Sequence, residues 1–161
     1  MRPTEATLPT SQNATPETAP LERSDASLRQ AQRALARATR PPEPGREHDW
    51  VAEVTPALET AQRAMHLHRE AMEGPRGLYE ELQHEAQWLV PRLERLLGRL
   101  GRIEAETDAL RQALARTGVE PGDGSATIRA DAERMLGRLR ALAAREGDLL
   151  FDRFNEPSAG D

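Results

Sequence analysis

Apolar residues recur along most of this chain in an alternating three-and-four rhythm. Between positions 47 and 73 the stripe is Val51, Val54, Leu58, Ala61, Met65, His68 and Met72. Between 78 and 117 it is Leu82, Ala86, Leu89, Leu93, Leu96, Leu100, Ile103, Thr107, Leu110 and Leu114. A third run is Ile128, Ala132, Met135, Leu139, Leu142, Glu146 and Leu149, widened by Leu136, Ala143, Leu150 and Phe154. A heptad rhythm keeps one face of a helix apolar, so each run predicts an amphipathic helix seeking a partner. A shorter stripe, Leu28, Ala31, Leu35 and Ala38, predicts a fourth helix over 22–40, capped by Ser24 or Asp25 and marginal by itself.

Punctuation divides these runs. Residues 1–21 carry four prolines, five threonines and almost no large apolar side chains, so they predict a disordered tail. Pro41 to Gly45 breaks the first helix and predicts a stiff linker over 41–46. Gly74, Pro75 and Gly77 predict a tight turn after the 47–73 helix. Gly118, Pro121, Gly122 and Gly124 end the next one, with Ser125 available to cap the last; residues 155–161 fray. The unbroken rhythm from Leu82 to Leu114 favours one long helix, bent at Pro91; the alternative breaks it near Gly98 to Gly101, each glycine costing about 1 kcal/mol relative to alanine. The expected architecture is an all-α antiparallel bundle over 47–154. It has three long helices, or four if the middle one breaks or the 22–40 helix joins.

Composition narrows the function classes. The 161-residue chain is 30% charged with a net charge of -5, and every one of its 22 basic residues is arginine. Such arginine, alanine and glycine usage suits GC-rich, bacterial coding. Non-specific nucleic-acid binding needs a basic excess, which is missing. No cysteine is present, which removes disulfides, thiolate metal sites and cysteine nucleophiles. No apolar run approaches the roughly 18 residues of a membrane span. No signal core precedes the helices, which leads to the expectation of a cytoplasmic protein. Trp50 and Trp88, at the edges of stripes, are expected to close the bundle.

Three of the four histidines lie between Met65 and Leu93. His66 and His68 are two apart and point to opposite sides of a helix. His68 falls on the apolar stripe. Glu81 and His84 have the Glu-x-x-His spacing of carboxylate-bridged iron bundles, though only once. The segments HEAQWLVPRL (His84 to Leu93) and REGDLLFDRF (Arg145 to Phe154) align with one another. Both resemble the helix signature of hemerythrin-like domains, in which His and two acidic residues precede Leu-Phe-Pro; Arg102 to Leu114 resembles that family's third helix. The resemblance spans about residues 47–154 and implies a four-helix bundle with non-haem iron. The sequence departs from the pattern at Trp88, Thr107 and Arg145, which stand where ligands are expected. The candidate metal ligands it leaves are His68, His84, Glu81 and Glu85, a degenerate set.

Arginines form rows: Arg92, Arg95, Arg99 and Arg102; Arg134, Arg138 and Arg145; and Arg29, Arg33, Arg37 and Arg40. Each is a solvated face with local ion pairs or a surface for an anionic partner. Without a nucleophile elbow, phosphate loop or paired metal motif, the sequence predicts a non-enzymatic helical bundle. It would bind no cofactor and would act as an interaction or structural module. Its partner would be another protein or a second copy, met through the heptad faces, rather than nucleic acid or membrane. The alternative is the hemerythrin-like iron-binding protein.

Overall fold

A computed structural model describes residues 19–117 and 124–155, and within them all regular structure is helical. The elements are α1 (Ala19–Ala38), α2 (Glu47–Glu73), α3 (Leu78–Glu85), α4 (Val90–Thr117) and α5 (Gly124–Phe154), with a 3-10 turn at Gln87–Leu89 between α3 and α4. The all-α bundle expected from the sequence is what the chain forms.

The heptad stripes become one shared core. Leu58, Met65, Leu82, Leu89, Leu93, Met135 and Leu149 lose all contact with solvent, and most of the remaining stripe residues of α2, α4 and α5 are buried beside them; Val51 and Leu150 are half-buried at the edge, and Ala143 and Phe154, expected to widen the α5 stripe, are exposed. Each helix hides one stripe and leaves its charged face outside, the arrangement that heptad spacing demands. Ion pairs at the seams give the directions. Arg69 reaches Glu104 (Nη2 to Oε2, 2.7 Å) while Arg111 reaches Glu59 (3.5 Å), so α2 and α4 are antiparallel. Arg138 with Glu106 and Arg92 with Asp152 set α4 and α5 antiparallel in the same way. α1 packs on α2 and α5, which closes an up-down-up-down ring of α1, α2, α4 and α5.

α1 is therefore a wall of the bundle, the case the sequence left open. Leu28, Ala31, Leu35 and Ala38 join the common core. The helix begins at Ala19, so residues 19–21 are helical rather than part of a tail. Its far end is tied to the start of α2, where the buried Trp50 indole donates to the Ala38 carbonyl at 2.7 Å. That bond satisfies one of the carbonyls every helix end leaves open. The remainder of the expected N-terminal tail, the 118–123 loop and residues 156–161 lie outside the described residues.

The predicted turn between α2 and α3 is present. A side chain on Gly77 would meet the carbonyls of Ala71, Met72 and Gly74 at under 3 Å. Arg76 takes a left-handed φ of 57°, held by its amide donating to Glu80 Oε2 at 2.7 Å.

The expectation of a continuous 78–117 helix is corrected. The chain leaves helical geometry at Ala86 (φ -148°, ψ 59°), makes the 3-10 turn, and restarts at Val90. Proline is the cause: Pro91 has no amide to donate to the Gln87 carbonyl, and its ring would collide with that carbonyl in an uninterrupted helix. The restart places Pro91 in the first turn, where no intrahelical amide is needed. Ala86 and Leu89 stay buried across the break, which is why spacing alone conceals it. Gly98 and Gly101, the suspected break points, lie inside α4. Gly101 makes room for Arg69, whose Nη2 would stand 3.2 Å from an added Cβ.

If α1 is part of one cooperative core, Leu35→Ala will destabilise the whole protein by about 2–5 kcal/mol, as for other fully buried leucines. Urea unfolding followed by helical circular dichroism measures it. A change below about 0.5 kcal/mol would mean that α1 is an appendage.

Candidate functional site

The core has one conspicuous polar interruption. His68 lies on the α2 stripe and is completely buried. Its Nε2 is 2.7 Å from Oε2 of Glu146, which sits on the α5 stripe and is likewise buried. Its Nδ1 is 2.9 Å from Ser24 Oγ and 3.4 Å from Asp25 Oδ1, both on α1. Three helices thus meet on one imidazole.

Proton accounting restricts the tautomer. Ser24 Oγ donates its single proton to the Leu21 carbonyl at 2.8 Å, so towards His68 it can only accept. Nδ1 therefore carries a proton and donates to Ser24. One further proton is shared between Nε2 and Glu146 Oε2. The other oxygen of Glu146, Oε1, is buried without a hydrogen-bond partner.

Asp25 stands at the mouth of the cluster with 29% of its side chain exposed. Burial raises its carboxyl from the ordinary 3.8 to about 6; repulsion from Glu146 adds to the rise, and attraction to His68 and Arg29 opposes it. Donor atoms of Asp25, His68 and Glu146 all lie within 4.8 Å of one another, close enough for small side-chain shifts to bring them onto one ion.

The sequence-level ligands are distributed differently. Of His68, His84, Glu81 and Glu85, only His68 enters the cluster. His84 is exposed, its Nδ1 donating to the Glu80 carbonyl at 2.8 Å. Glu81 and Glu85 accept from the two Nη atoms of Arg153 at 2.7 and 2.8 Å, an ion-pair triad that pins α3 to the end of α5. Their carboxylates are thereby committed to a guanidinium, which repels a cation. His66 is exposed beside Glu70, on the opposite side of α2 from His68, as their spacing requires. Thr107 is buried and satisfied, its hydroxyl near the Ile103 carbonyl (2.8 Å) and Met135 Sδ (2.9 Å). Glu146, Ser24 and Asp25 were missed as site residues. A signal existed for Glu146, a carboxylate on a strictly apolar stripe. Ser24 and Asp25 read as helix caps until the true start of α1, at Ala19, places them in its second turn.

Two surface features flank this interior site. Between α4 and α5, Arg92, Arg95, Arg99, Arg145 and Asp148 line an open cleft of about 170 Å³ with Leu96. Arg92 is paired with Asp152, but among the described residues Arg95, Arg99 and Arg145 have no carboxylate partner, and Nη1 of Arg99 is buried unpaired. At the same end of α5, Phe151 and Phe154 are 66% and 73% exposed. Trp88, expected to close the bundle, is instead 48% exposed, because the 3-10 turn rotates it away from the core while Leu89 turns in.

The fold and its interior cluster define an all-α four-helix bundle with one buried histidine–carboxylate centre. No family model, no curated protein and no solved structure matches the chain.

The raised carboxyl of Asp25 has a definite sign. In the folded state Asp25 holds its proton to a higher pH than in the unfolded chain, so its contribution to stability is present below about 3.8 and is lost as the pH rises to about 6. Asp25→Asn removes the titration while keeping the shape. Its stability relative to the unsubstituted protein should rise across that window and level off above it. The gain at neutral pH should be about 1 kcal/mol, since solvent screens a partly exposed carboxylate. Urea midpoints at pH 4.5, about 6 and about 7.5 test this; a difference independent of pH would refute it.

Proposed function

We propose that the protein is a non-enzymatic helical-bundle module of the cytoplasm that engages a protein partner carrying an acidic segment. The observation that carries this reading is the cleft between α4 and α5, which Arg95, Arg99 and Arg145 line without a carboxylate partner among the described residues. Several arginines at the helix seams are matched, as with Arg69 and Glu104, Arg138 and Glu106, and Arg153 with Glu81; the three cleft arginines are set apart by gathering without such a match around one concave surface. An unmatched cationic cleft attracts anions and steers their approach. Exposed Phe151 and Phe154 at the end of α5 add the apolar contact that protein interfaces use and that a simple anion site would not need. The absence of aromatic side chains from the cleft itself argues for an acidic peptide over single-stranded nucleic acid, whose bases want stacking platforms.

The heptad stripes expected to serve association line the internal core instead. A partner or second copy would therefore meet the charged outer faces. In addition, among the described residues no helix is long and apolar enough to cross a membrane.

A hemerythrin-like iron-binding role is the second reading, favoured by the up-down-up-down topology of four long helices. Iron analysis after aerobic addition of ferrous iron decides it. Two irons per chain with a visible charge-transfer band would support it, and their absence would end it.

The leading reading predicts that a fluorescent poly-glutamate peptide binds at low ionic strength and is released by salt, as expected for contacts screened over a Debye length of about 10 Å at 0.1 M. Replacing Arg95, Arg99 and Arg145 together by glutamate should weaken binding by at least roughly ten-fold, about 1.4 kcal/mol. Fluorescence anisotropy reads the affinity. Unchanged affinity in the triple variant, or no binding by the unsubstituted protein, would overturn it.

A further inference from the structure

We propose that Asp25, His68 and Glu146 form a mononuclear site for a divalent transition-metal ion of the zinc class, joining α1 to α2 and α5. The donor atoms already lie within 4.8 Å of one another, before any adjustment to an ion. The residues come from three different helices, so the closeness is a product of the tertiary fold and not of local spacing.

Without the proton shared between Nε2 and Glu146, two carboxylates and a neutral imidazole would place two negative charges in a site where His68 and Glu146 are shut off from water. Buried charge of one sign is costly unless it is neutralised. Protons can do this, and so can a doubly charged cation, which matches the charge of the two carboxylates.

Glu146 also keeps an unused oxygen. Glu146 Oε1 is buried with no hydrogen-bond partner, although its carboxylate lies against the imidazole. A carboxylate that closes only a hydrogen bond to histidine would be expected to satisfy both oxygens or to leave the second one wet. A carboxylate that contributes one oxygen to the donor cluster and keeps a second buried oxygen unpaired is suited to a cation.

His68 is in addition supported from outside the cluster. Metal-binding histidines characteristically donate their second ring N–H to a fixed acceptor, which sets the tautomer. Here Nδ1–H donates to Ser24 Oγ (2.9 Å), and Ser24 is itself fixed by its bond to the Leu21 carbonyl (2.8 Å). This leaves Nε2, the nitrogen facing Glu146, as the coordinating atom; the Asp25 carboxylate, whose Oδ1 lies 3.4 Å from Nδ1, would swing from the mouth of the cluster to join it. Binding displaces the proton shared between Nε2 and Glu146 to solvent, as metal binding at histidine and carboxylate generally does.

Access comes from the Asp25 side. Asp25 is the most exposed of the three ligands, and it borders a pocket of about 200 Å³ that also touches Pro20, Leu21 and Leu150. The pocket offers an entry path and room for water as a further ligand. One nitrogen and two carboxylate donors, with no sulfur, suit zinc, manganese or ferrous ions rather than cuprous ion. This donor set shares only His68 with the ligands suggested by the hemerythrin-like resemblance, and it holds one ion.

The test uses the full chain, stripped with a chelator and titrated with cobalt(II) at neutral pH, reading the visible d–d absorption; zinc affinity is read by competition. The unsubstituted protein should bind one cobalt per chain. Glu146→Gln and Asp25→Asn, nearly isosteric changes that each remove a charged ligand, should weaken binding by at least roughly ten-fold. His84→Gln should bind as tightly as the unsubstituted protein. If Glu146→Gln does not fold, judged by circular dichroism, Asp25→Asn at the rim carries the test: zinc should raise the melting temperature of the unsubstituted protein and leave that of Asp25→Asn unchanged. No cobalt band, equal affinity in Asp25→Asn and the unsubstituted protein, or loss of binding in His84→Gln would each overturn the proposal.

Discussion

A fully buried imidazole cannot turn to water for hydrogen bonds, so the protein around His68 has to supply partners for both ring nitrogens. It does so from two different helices, Ser24 of α1 on one side and Glu146 of α5 on the other. This requirement reaches well beyond the site. An apolar heptad seam can slide by a turn and still bury leucines, whereas the His68 contacts are satisfied in only one register. The cluster thereby sets the height of α1 against α2 and of α5 against both. It also explains how a helix as small-faced as α1, with alanine at two of its four core positions, keeps a fixed place in the ring.

Around that point the forces are divided by location. Apolar stripes supply the non-directional attraction that condenses the helices, and the core is built almost entirely from leucine, alanine and methionine. Direction comes from polar ties at the margins. The Trp50 indole closes the α1–α2 end, Arg69 clamps Glu104 across α2 and α4, and Arg153 gathers Glu81 and Glu85 at the far end. Most of these pairs are partly exposed and individually worth little. Their value lies in matching one edge to one neighbour. The arginines that line the cleft between α4 and α5 take no part in these ties.

The sequence made the three long stripes plain, because burial of one face is a property each helix carries in its own periodicity. It did not reveal the break before α4. Ala86 and Leu89 remain core residues on either side of the irregular turn, so the apolar spacing runs on while the backbone does not. Pro91 was the better guide, since the missing amide is a hard constraint and the glycines at 98 and 101 are only a mild one. Trp88 shows the same limit: a large aromatic beside a core position was expected inside, and the rotation of a single 3-10 turn placed it outside.

The candidate site divides along the same line. From His68 and Glu146 standing on apolar stripes, the sequence by itself determined that two ionisable groups would be drawn into the core, since helical phase decides which face a residue occupies. It also determined an all-α fold class and, by lacking cysteine, the absence of thiolate chemistry. Only the tertiary structure decided that these two groups meet, that Ser24 and Asp25 complete the set, and that Glu81, Glu85 and His84 are used elsewhere. The physical reason is that periodicity fixes a residue's angle about its own helix axis, but says nothing of the order of helices around the ring or of their relative height. Those are set by which neighbours can satisfy every buried polar atom at once.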